Sequence, residues 1–357
     1  MRKIIALSVL IFIGLGMSFT VIEAEDGVKY KKRKPAKIRI KLATIAPQGS
    51  MAMNYMEKIR TEIRTKTNNE VDFIVYWGGV QGDERNVLRK IRLRQLHGGA
   101  FSGSGLGQIV PEVRITEIPY MFRNSDEVAY VRNKLTDNLN KYFEKKGFIM
   151  LGYNEVGFLY NFSKEPLTSI EILKKQKHWM PTDDPLVVEV YKAFDITPIP
   201  LSVTDVMTSV STNLINSASM TTFFAMGFRW YTRFPYVSDF PSMNLLGALL
   251  VTKSIWNKIS PTSRKIVQEI AKYHNDKLSN AMRDVNNRSA QLLKDAGVKI
   301  VHVDPDGEFG KYLIKAGITA RENLVGKLYS KELLNQALSL LDEYRRLHPE
   351  SAWELIK

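Results

Sequence analysis

The feature that most constrains the fold is a long helical pattern between Ser260 and Gly297. Ser260 followed by Pro261 is a favourable N-cap and first helical residue, and Gly297 is a natural helix stop. Apolar residues recur between them with a period close to 3.6 residues. A helix of about 35 residues is roughly 50 Å long at 1.5 Å per residue. We expect such a helix to brace two packed units.

Strand and helix patterns alternate near the start of the globular part. Ile38 to Ala43 and Val71 to Tyr76 have strand character, and Met51 to Thr65 between them has a helical period. A helix from Asp83 to Leu96 then precedes a short strand from Gly99 to Ser102. This alternation predicts an α/β fold with a mainly parallel sheet covered by helices.

The chain has 357 residues, which is enough for two lobes with separate cores. Strands at Phe148–Tyr153 and Phe158–Phe162 are expected to cross between these lobes. The predicted division is a signal peptide (1–24), a basic linker (25–37), lobe I (38–156 with 245–285), lobe II (157–244 with 286–330) and a C-terminal helix (331–357).

The N-terminus has the pattern of a secretory signal. Arg2 and Lys3 precede an apolar run from Ile4 to Ile22, and Ala24 ends an imperfect cleavage site. We therefore expect an exported, periplasmic protein. The apolar run is also long enough for an uncleaved membrane anchor, which stays an alternative.

The net charge of +14 is unusual, and eight of the fourteen residues from Val28 to Lys41 are Lys or Arg. No aromatic or Gly-rich RNA-binding pattern accompanies them, so we expect no nucleic-acid partner. We assign this stretch to a solvated linker near the membrane surface. The chain has no cysteine, which excludes disulfides, thiolate metal sites and a lipid-modified cysteine. We predict no metal and no cofactor.

The chemistry-bearing residues do not form an enzyme motif. Neither a His-Glu-x-x-His pattern nor a Gly-x-Ser-x-Gly elbow is present, and Gly103 to Gly107 lacks the dinucleotide fingerprint. The five histidines are isolated from one another: His97, His178, His274, His302 and His348. We therefore expect a protein that is not an enzyme.

Four motifs, in order along the chain, carry a family resemblance. They are Leu42-Ala43-Thr44 with Pro47-x-Gly49-Ser50, Gly82-Asp83-Glu84-Arg85, Pro119-Tyr120-Met121-Phe122, and the run Lys253 to Pro261. Over roughly Ile38 to Asp304 the chain resembles the DctP-like substrate-binding subunits of tripartite ATP-independent periplasmic (TRAP) transporters. The resemblance implies a type II periplasmic-binding-protein fold, in which two α/β lobes close on a ligand and then engage membrane permease subunits.

Three positions that bind an acidic ligand in this family differ here. The family's first pocket arginine maps to Leu159, its main carboxylate-binding arginine to Trp179, and its pocket asparagine to Met220. An arginine fork matches the two oxygens of a carboxylate, whereas tryptophan offers one donor and a large apolar face. Burying a carboxylate without such partners costs several kcal/mol, on the order of the desolvation penalty of an ion. The site is therefore expected to reject the usual small organic acids.

The replacements favour an apolar pocket. All three are apolar or aromatic, and Phe223 and Phe224 follow Met220. Apolar linings are typical of sites for hydrophobic small molecules, and methionine adapts to irregular shapes. We predict a hydrophobic or amphipathic ligand. In this respect the chain looks like the TRAP branch that works with a periplasmic tetratricopeptide-repeat partner.

Other pocket candidates lie at strand ends of the first lobe. Thr44, Phe101 and Ser102 are expected to face the cleft, where ligands bind in open α/β sheets. The hydroxyls of Thr44 and Ser102 are equally consistent with turn chemistry. Arg229 and Arg233 are candidates for a non-standard cation that would hold an organic acid.

Two further alternatives remain open. The three replacements are also consistent with drift after loss of binding or with a slipped alignment. A separate alternative is a ligand-independent periplasmic interaction protein on a degenerate binding-protein scaffold. A permanently collapsed apolar cleft would favour that interpretation, and a continuous cavity would favour transport.

Overall fold

A computed structural model describes residues 35–182 and 184–356. The strands in these ranges are β1 (Ile38–Ala43), β2 (Val71–Tyr76), β3 (Gly98–Ser102), β4 (Phe148–Phe158), β5 (Tyr160–Ser163), β6 (Trp179–Met180), β7 (Ile199–Pro200), β8 (Ser217–Met220), β9 (Tyr236–Ser238), β10 (Asn244–Thr252) and β11 (Lys299–Val301). The α-helices are α1 (Met51–Lys66), α2 (Glu84–Arg92), α3 (Gly103–Gly107), α4 (Ser125–Lys145), α5 (Ile170–Lys175), α6 (Pro185–Ala193), α7 (Val206–Ser211), α8 (Thr222–Gly227), α9 (Lys253–Trp256), α10 (Pro261–Asp295), α11 (Glu308–Asn323) and α12 (Lys331–Leu347). Short 3-10 helices lie at Pro111–Glu117, Val203–Asp205 and Trp230–Thr232.

The predicted signal segment (1–24), its alternative as a membrane anchor, and most of the basic linker lie outside the described residues. Among the helices that are described, none combines the length and apolar character needed to cross a membrane.

The first lobe is built on a five-stranded sheet with the order β2-β1-β3-β10-β4. β1 runs parallel to β2 and β3, as the alternating pattern predicts. β10 is antiparallel to both β3 and β4. The prediction of a mainly parallel sheet is therefore wrong for the part formed by β3, β10 and β4. Here β10 enters from the second lobe and is antiparallel to both neighbours.

The second lobe is built on a four-stranded sheet with the order β11-β9-β5-β8. β6 pairs with β7, and a bridge between His178 and Ser217 joins this pair to the edge strand β8. β4 belongs to the first sheet and β5 to the second, so the chain crosses between lobes at Leu159. The two expected α/β lobes are present. Of the two strands expected to cross between them, Phe148–Tyr153 lies within the first sheet, and the crossing is made where the chain passes from Phe158 to Tyr160.

The long helix α10 contacts both lobes. Its N-cap is Ser260, whose hydroxyl accepts a hydrogen bond from the Ser263 N–H at 3.3 Å. Its first turns pack with α1 on one face of the five-stranded sheet, and it also contacts β4 and α8. The predicted helix and its bracing position are confirmed.

A second apolar core lies on the other face of the five-stranded sheet and continues into the second lobe. It includes Phe122 of the first lobe together with Phe162 and Trp230 of the second, all fully buried. One apolar interior therefore spans both lobes in this structure.

The segment 349–356 after α12 also joins the two lobes. The Glu354 side chain accepts a hydrogen bond from the Ser125 N–H at 2.9 Å, in the first lobe. Its carbonyl accepts one from the Tyr160 hydroxyl at 2.8 Å, in the second. Trp353 packs on Phe240 with ring centroids 4.5 Å apart. We call this segment the C-terminal strap.

Candidate functional site

Trp179 lies in β6, inside the second lobe. Its indole N–H donates to the Leu201 carbonyl at 2.9 Å, and its ring meets Trp230 edge-on at 6.0 Å between centroids. The Tyr191 hydroxyl donates to its backbone carbonyl at 3.1 Å. Only 6% of the residue is exposed. The single donor of the indole is therefore already used within the protein.

Met220 lies on a strand that contacts the strand of Trp179, and Leu159 lies in the link between β4 and β5. Met220 ends β8 opposite Tyr160, the residue after Leu159, and β8 also contacts β6. The backbone of Leu159 is held on both sides, since its N–H donates to the Met243 carbonyl at 2.8 Å and its carbonyl accepts from the Ser242 N–H at 2.9 Å. Met220 is thus beside the strand of Trp179, and Leu159 is one residue from the position that pairs with Met220.

Phe223 and Phe224 form the first turn of α8 and are half-buried. Their ring centroids are 5.3 Å apart. The Phe223 N–H donates to the Asn286 side chain at 3.2 Å, which ties this turn to α10. These two aromatic rings retain partial exposure, unlike Trp179.

Thr44, Phe101 and Ser102 lie at the carboxyl ends of β1 and β3. Phe101 is buried, and the Thr44 hydroxyl accepts a hydrogen bond from the Ala46 N–H at 3.2 Å. The Ser102 hydroxyl donates to Glu84 at 2.7 Å and caps α3. Both hydroxyls therefore make local hydrogen bonds of the kind found in turns.

The most unusual group at this edge of the first lobe is a buried charge cluster. Arg114, in the Pro111–Glu117 turn, is only 3% exposed. Its two terminal nitrogens donate to the two carboxylate oxygens of Asp184, at 3.1 and 3.0 Å. Its Nε lies 2.7 Å from Oε2 of Glu117, as an ion pair without the alignment of a hydrogen bond.

Two buried carboxylates near Arg114, those of Glu117 and Glu84, have pKa values that are shifted upwards. Burial raises the pKa of Glu117 from 4.5 to about 7, against the opposing effect of Arg114. Burial likewise raises the pKa of Glu84, although the Ser102 N–H and hydroxyl donate to it. Desolvation of the charged form is the common cause.

The glycines after β3 make room for these carboxylates. A Cβ on Gly103 would overlap the Glu117 carboxylate, and one on Gly105 would lie 2.5 Å from the Glu84 carboxylate. The sequence pattern excluded a dinucleotide fingerprint at Gly103 to Gly107 and gave these glycines no other role. The signal that could have indicated the cluster is the pair Arg114 and Glu117, three residues apart between the apolar residues Val113 and Ile118.

The predicted alternative cations are not at this site. Arg229 and Arg233 flank the Trp230–Thr232 turn and are exposed. Arg114, which carries no motif and was not predicted as a site residue, is a buried cation that contacts Asp184 next to α6. Within the described ranges, no group of three or more His, Asp or Glu side chains is arranged to hold a metal ion.

Comparison with known proteins places these features in a family. The model of the DctP family, described as bacterial extracellular solute-binding protein, family 7, matches residues 42–308. The chain is 25% identical over 221 residues to the ectoine/5-hydroxyectoine-binding periplasmic protein of Ruegeria pomeroyi, covering 61% of this chain and 64% of that relative. The match thus spans slightly less than two thirds of the relative's length.

Solved structures of TRAP periplasmic solute-binding proteins have the same fold. One from Ochrobactrum anthropi, with its C-terminus bound in the ligand-binding pocket, has a TM-score of 0.79 at 18% identity and covers 88% of this chain and 98% of that one. One from Desulfovibrio desulfuricans with bound sn-glycerol-3-phosphate has a TM-score of 0.78 at 19% identity, covering 86% and 97%. The predicted fold class is confirmed.

The family and these structural neighbours are solute-binding proteins, which agrees with the expectation that the chain is not an enzyme. The family model covers most of the chain, from the end of β1 to the start of α11. The chain therefore belongs to the DctP family, the bacterial extracellular solute-binding proteins of family 7.

Proposed function

We propose that this chain binds a hydrophobic or amphipathic solute between its lobes and delivers it to the membrane subunits of a TRAP-type transporter. The hydrophobic or amphipathic class of the solute is inferred from the hydrogen bonding of Trp179. Its only donor is committed to the Leu201 carbonyl, and its neighbours Leu159 and Met220 have no polar side-chain group that binds an acid. The named ligands of the two relatives above are polar, so the proposed solute is a departure of this chain from them.

Lobe closure is the proposed mechanism. The lobes would open about the crossing at Leu159, and a solute would pack against Leu159, Met220 and the half-buried rings of Phe223 and Phe224. Closure would bury it between this surface, which includes Trp179, and the edge of the first lobe at Thr44, Phe101 and Ser102, and would present a new surface to the permease. Apolar burial contributes ~25 cal/mol per Å² removed from water, so a lipid-sized chain gains enough affinity without an ion pair.

The location and the partners are also part of the proposal. The N-terminal pattern supports export to the periplasm, where the named relative from Ruegeria pomeroyi acts. We propose membrane permease subunits as the obligatory partner. A periplasmic tetratricopeptide-repeat protein is a second candidate partner, supported by the apolar replacements in the pocket.

The test is mass spectrometry of the small molecules released when the natively purified protein is denatured. A stoichiometric apolar or amphipathic species that is missing from a Met220→Arg variant would support the proposal and name the solute. A stoichiometric polar acid would overturn it. Parallel extraction of an unrelated exported protein from the same cells provides the background.

A second candidate function is a ligand-independent interaction protein. Phe101, Trp179 and Met220 are buried in the apolar interior that spans both lobes, which supports a cleft that stays closed. The two candidates differ in solution behaviour. A transport protein opens when its solute is removed, so its radius of gyration in small-angle scattering increases, whereas a permanently closed scaffold keeps one value.

A further inference from the structure

Arg114 and Asp184 form the most complete ion pair between the two lobes. The turn that holds Arg114 packs against α3, β10 and α4, which belong to the five-stranded lobe. Asp184 directly precedes α6, and the strand before it, β6, is attached to the four-stranded lobe through β8. The two side chains are 3% and 5% exposed, so the pair is sealed from water.

The geometry of this pair is that of an arginine bound to a carboxylate ligand. Both terminal nitrogens of Arg114 donate to one carboxylate, one nitrogen to each oxygen, at 3.1 and 3.0 Å. Such a two-bond fork is the usual means by which proteins recognise carboxylates. Here the carboxylate belongs to the protein itself, on the opposite side of the lobe boundary.

The surrounding charges leave no capacity for a second acid. Glu117 lies against the Nε of Arg114, and Glu84 lies close enough to raise the pKa of Glu117 together with Asp184. Three carboxylates thus share one guanidinium. An acidic solute at this place would have to displace Asp184 and lie beside the two glutamates, which repel an anion in their charged forms.

We propose that Asp184 is an internal carboxylate that determines specificity. On closure it occupies the fork of Arg114, which excludes acidic solutes from this cation and holds the lobes together without a ligand carboxylate. In the open state the two groups are apart and solvated, and the buried pair is only weakly stabilising after desolvation, so the contact remains reversible. Exclusion of acids matters for transport only if a solute enters between the lobes, as proposed above.

The test removes the Asp184 carboxylate by substitution and then supplies a carboxylate in solution, as formate. In Asp184→Ser a hydroxyl takes over the cap of α6, where the aspartate now accepts from the Leu186 N–H, but the guanidinium fork is empty. We expect formate to raise the thermal midpoint of Asp184→Ser by about 2–4 °C in a saturable manner, because a ligand that binds only the folded state stabilises it. Chloride at equal ionic strength should have no such effect.

Three further proteins act as controls. The wild type should not respond to formate, and neither should Asp205→Ser, which changes an exposed aspartate of the same lobe. Arg114→Lys combined with Asp184→Ser keeps the charge but removes the fork, and its response should fall several-fold. Equal responses in all four proteins, or none in Asp184→Ser, would overturn the role of Asp184.

Asp184→Asn covers the case in which Asp184→Ser does not fold. The amide keeps the cap and the shape but lacks the charge, so we expect a folded protein of which a smaller fraction is closed, with a larger average radius of gyration than the wild type when both are free of solute. An unchanged radius would contradict closure by this pair. Neither experiment uses the natural solute, so the result is independent of the mass-spectrometric test of the proposed function.

Discussion

The side-chain amide of Asn286, on α10, fills the space beside Gly157 that a Cβ would need. The same amide group donates to the Val156 carbonyl at 2.9 Å, and its oxygen accepts from the Phe223 N–H at 3.2 Å. One residue of the long helix therefore holds both the end of β4, where the chain leaves the first lobe, and the start of α8 in the second.

Gly157→Ala should destabilise the protein at this junction. The backbone φ of Gly157 is +122°, which a residue with a Cβ rarely adopts, and the new methyl group would collide with Asn286. We expect a loss of about 1–3 kcal/mol in the free energy of unfolding, measured in urea. The matched control is Gly227→Ala, where an added Cβ meets nothing within 4 Å; similar losses for the two variants would contradict the prediction.

Trp179 substitutions should separate its structural role from its proposed role in binding. Trp179→Phe removes the donor to the Leu201 carbonyl and should cost ~1–2 kcal/mol in unfolding free energy. Trp179→Arg should cost more, because the guanidinium would be buried against Trp230. Under the proposed function, both variants retain less of the released apolar species in mass spectrometry. Full retention by a folded Trp179→Arg protein would remove Trp179 from the pocket.

The stability of the protein should depend on the protonation of Glu117. Its pKa is raised from 4.5 to about 7 in the folded state, so the folded protein binds this proton more tightly than the unfolded chain does. The contribution of this protonation to the free energy of unfolding is fully present below about pH 4.5 and is lost as the pH rises towards 7.

Glu117→Gln should abolish this part of the pH dependence. Its amide can still accept from the Leu246 N–H, and the other groups facing this site, Arg114, Asp184 and Glu84, are retained. Thermal midpoints of both proteins are measured between pH 4.5 and 8. The difference between them, wild type minus variant, should decrease as the pH rises over the window set by the shifted pKa. Glu112→Gln in the same turn is the control, and a flat difference curve would refute the assignment.

The C-terminal strap should contribute to stability through Trp353. Trp353→Ala removes the ring that packs on Phe240, and we expect a loss of about 2–4 kcal/mol in unfolding free energy. Trp353→Phe keeps an aromatic contact and should lose less than half of that. If alanine and phenylalanine are equally tolerated, the ring contact is not what holds the strap.

Local patterns were enough to predict several elements with correct bounds. β1, β2 and α12 begin and end where their periodicity indicates, and Ser260-Pro261 correctly marks the start of α10. α2 ends at Arg92, four residues before the predicted Leu96, because Arg94 adopts a left-handed backbone with φ of 59°. That conformation is not apparent from residue type, since it favours glycine and asparagine.

Features that depend on distant parts of the chain were not predicted. The helix α4 and the central strand β10 were both missed, and the direction of β10 depends on its entry from the second lobe. The Arg114–Asp184 pair joins residues 70 positions apart, and neither residue carries a local motif. The assignment of Leu159, Trp179 and Met220 to a pocket came from family resemblance, and it stays a prediction.

The central position of β10 also has a kinetic consequence. β10 separates β3 from β4 in the five-stranded sheet, so that sheet stays in two pieces until residue 252 is available to the chain. Strand pairings over such long sequence separations form slowly, because the entropy of loop closure is lost before the contacts are gained. A nascent chain with this topology therefore remains unfolded for most of its synthesis, which is the state in which a polypeptide can be threaded across a membrane.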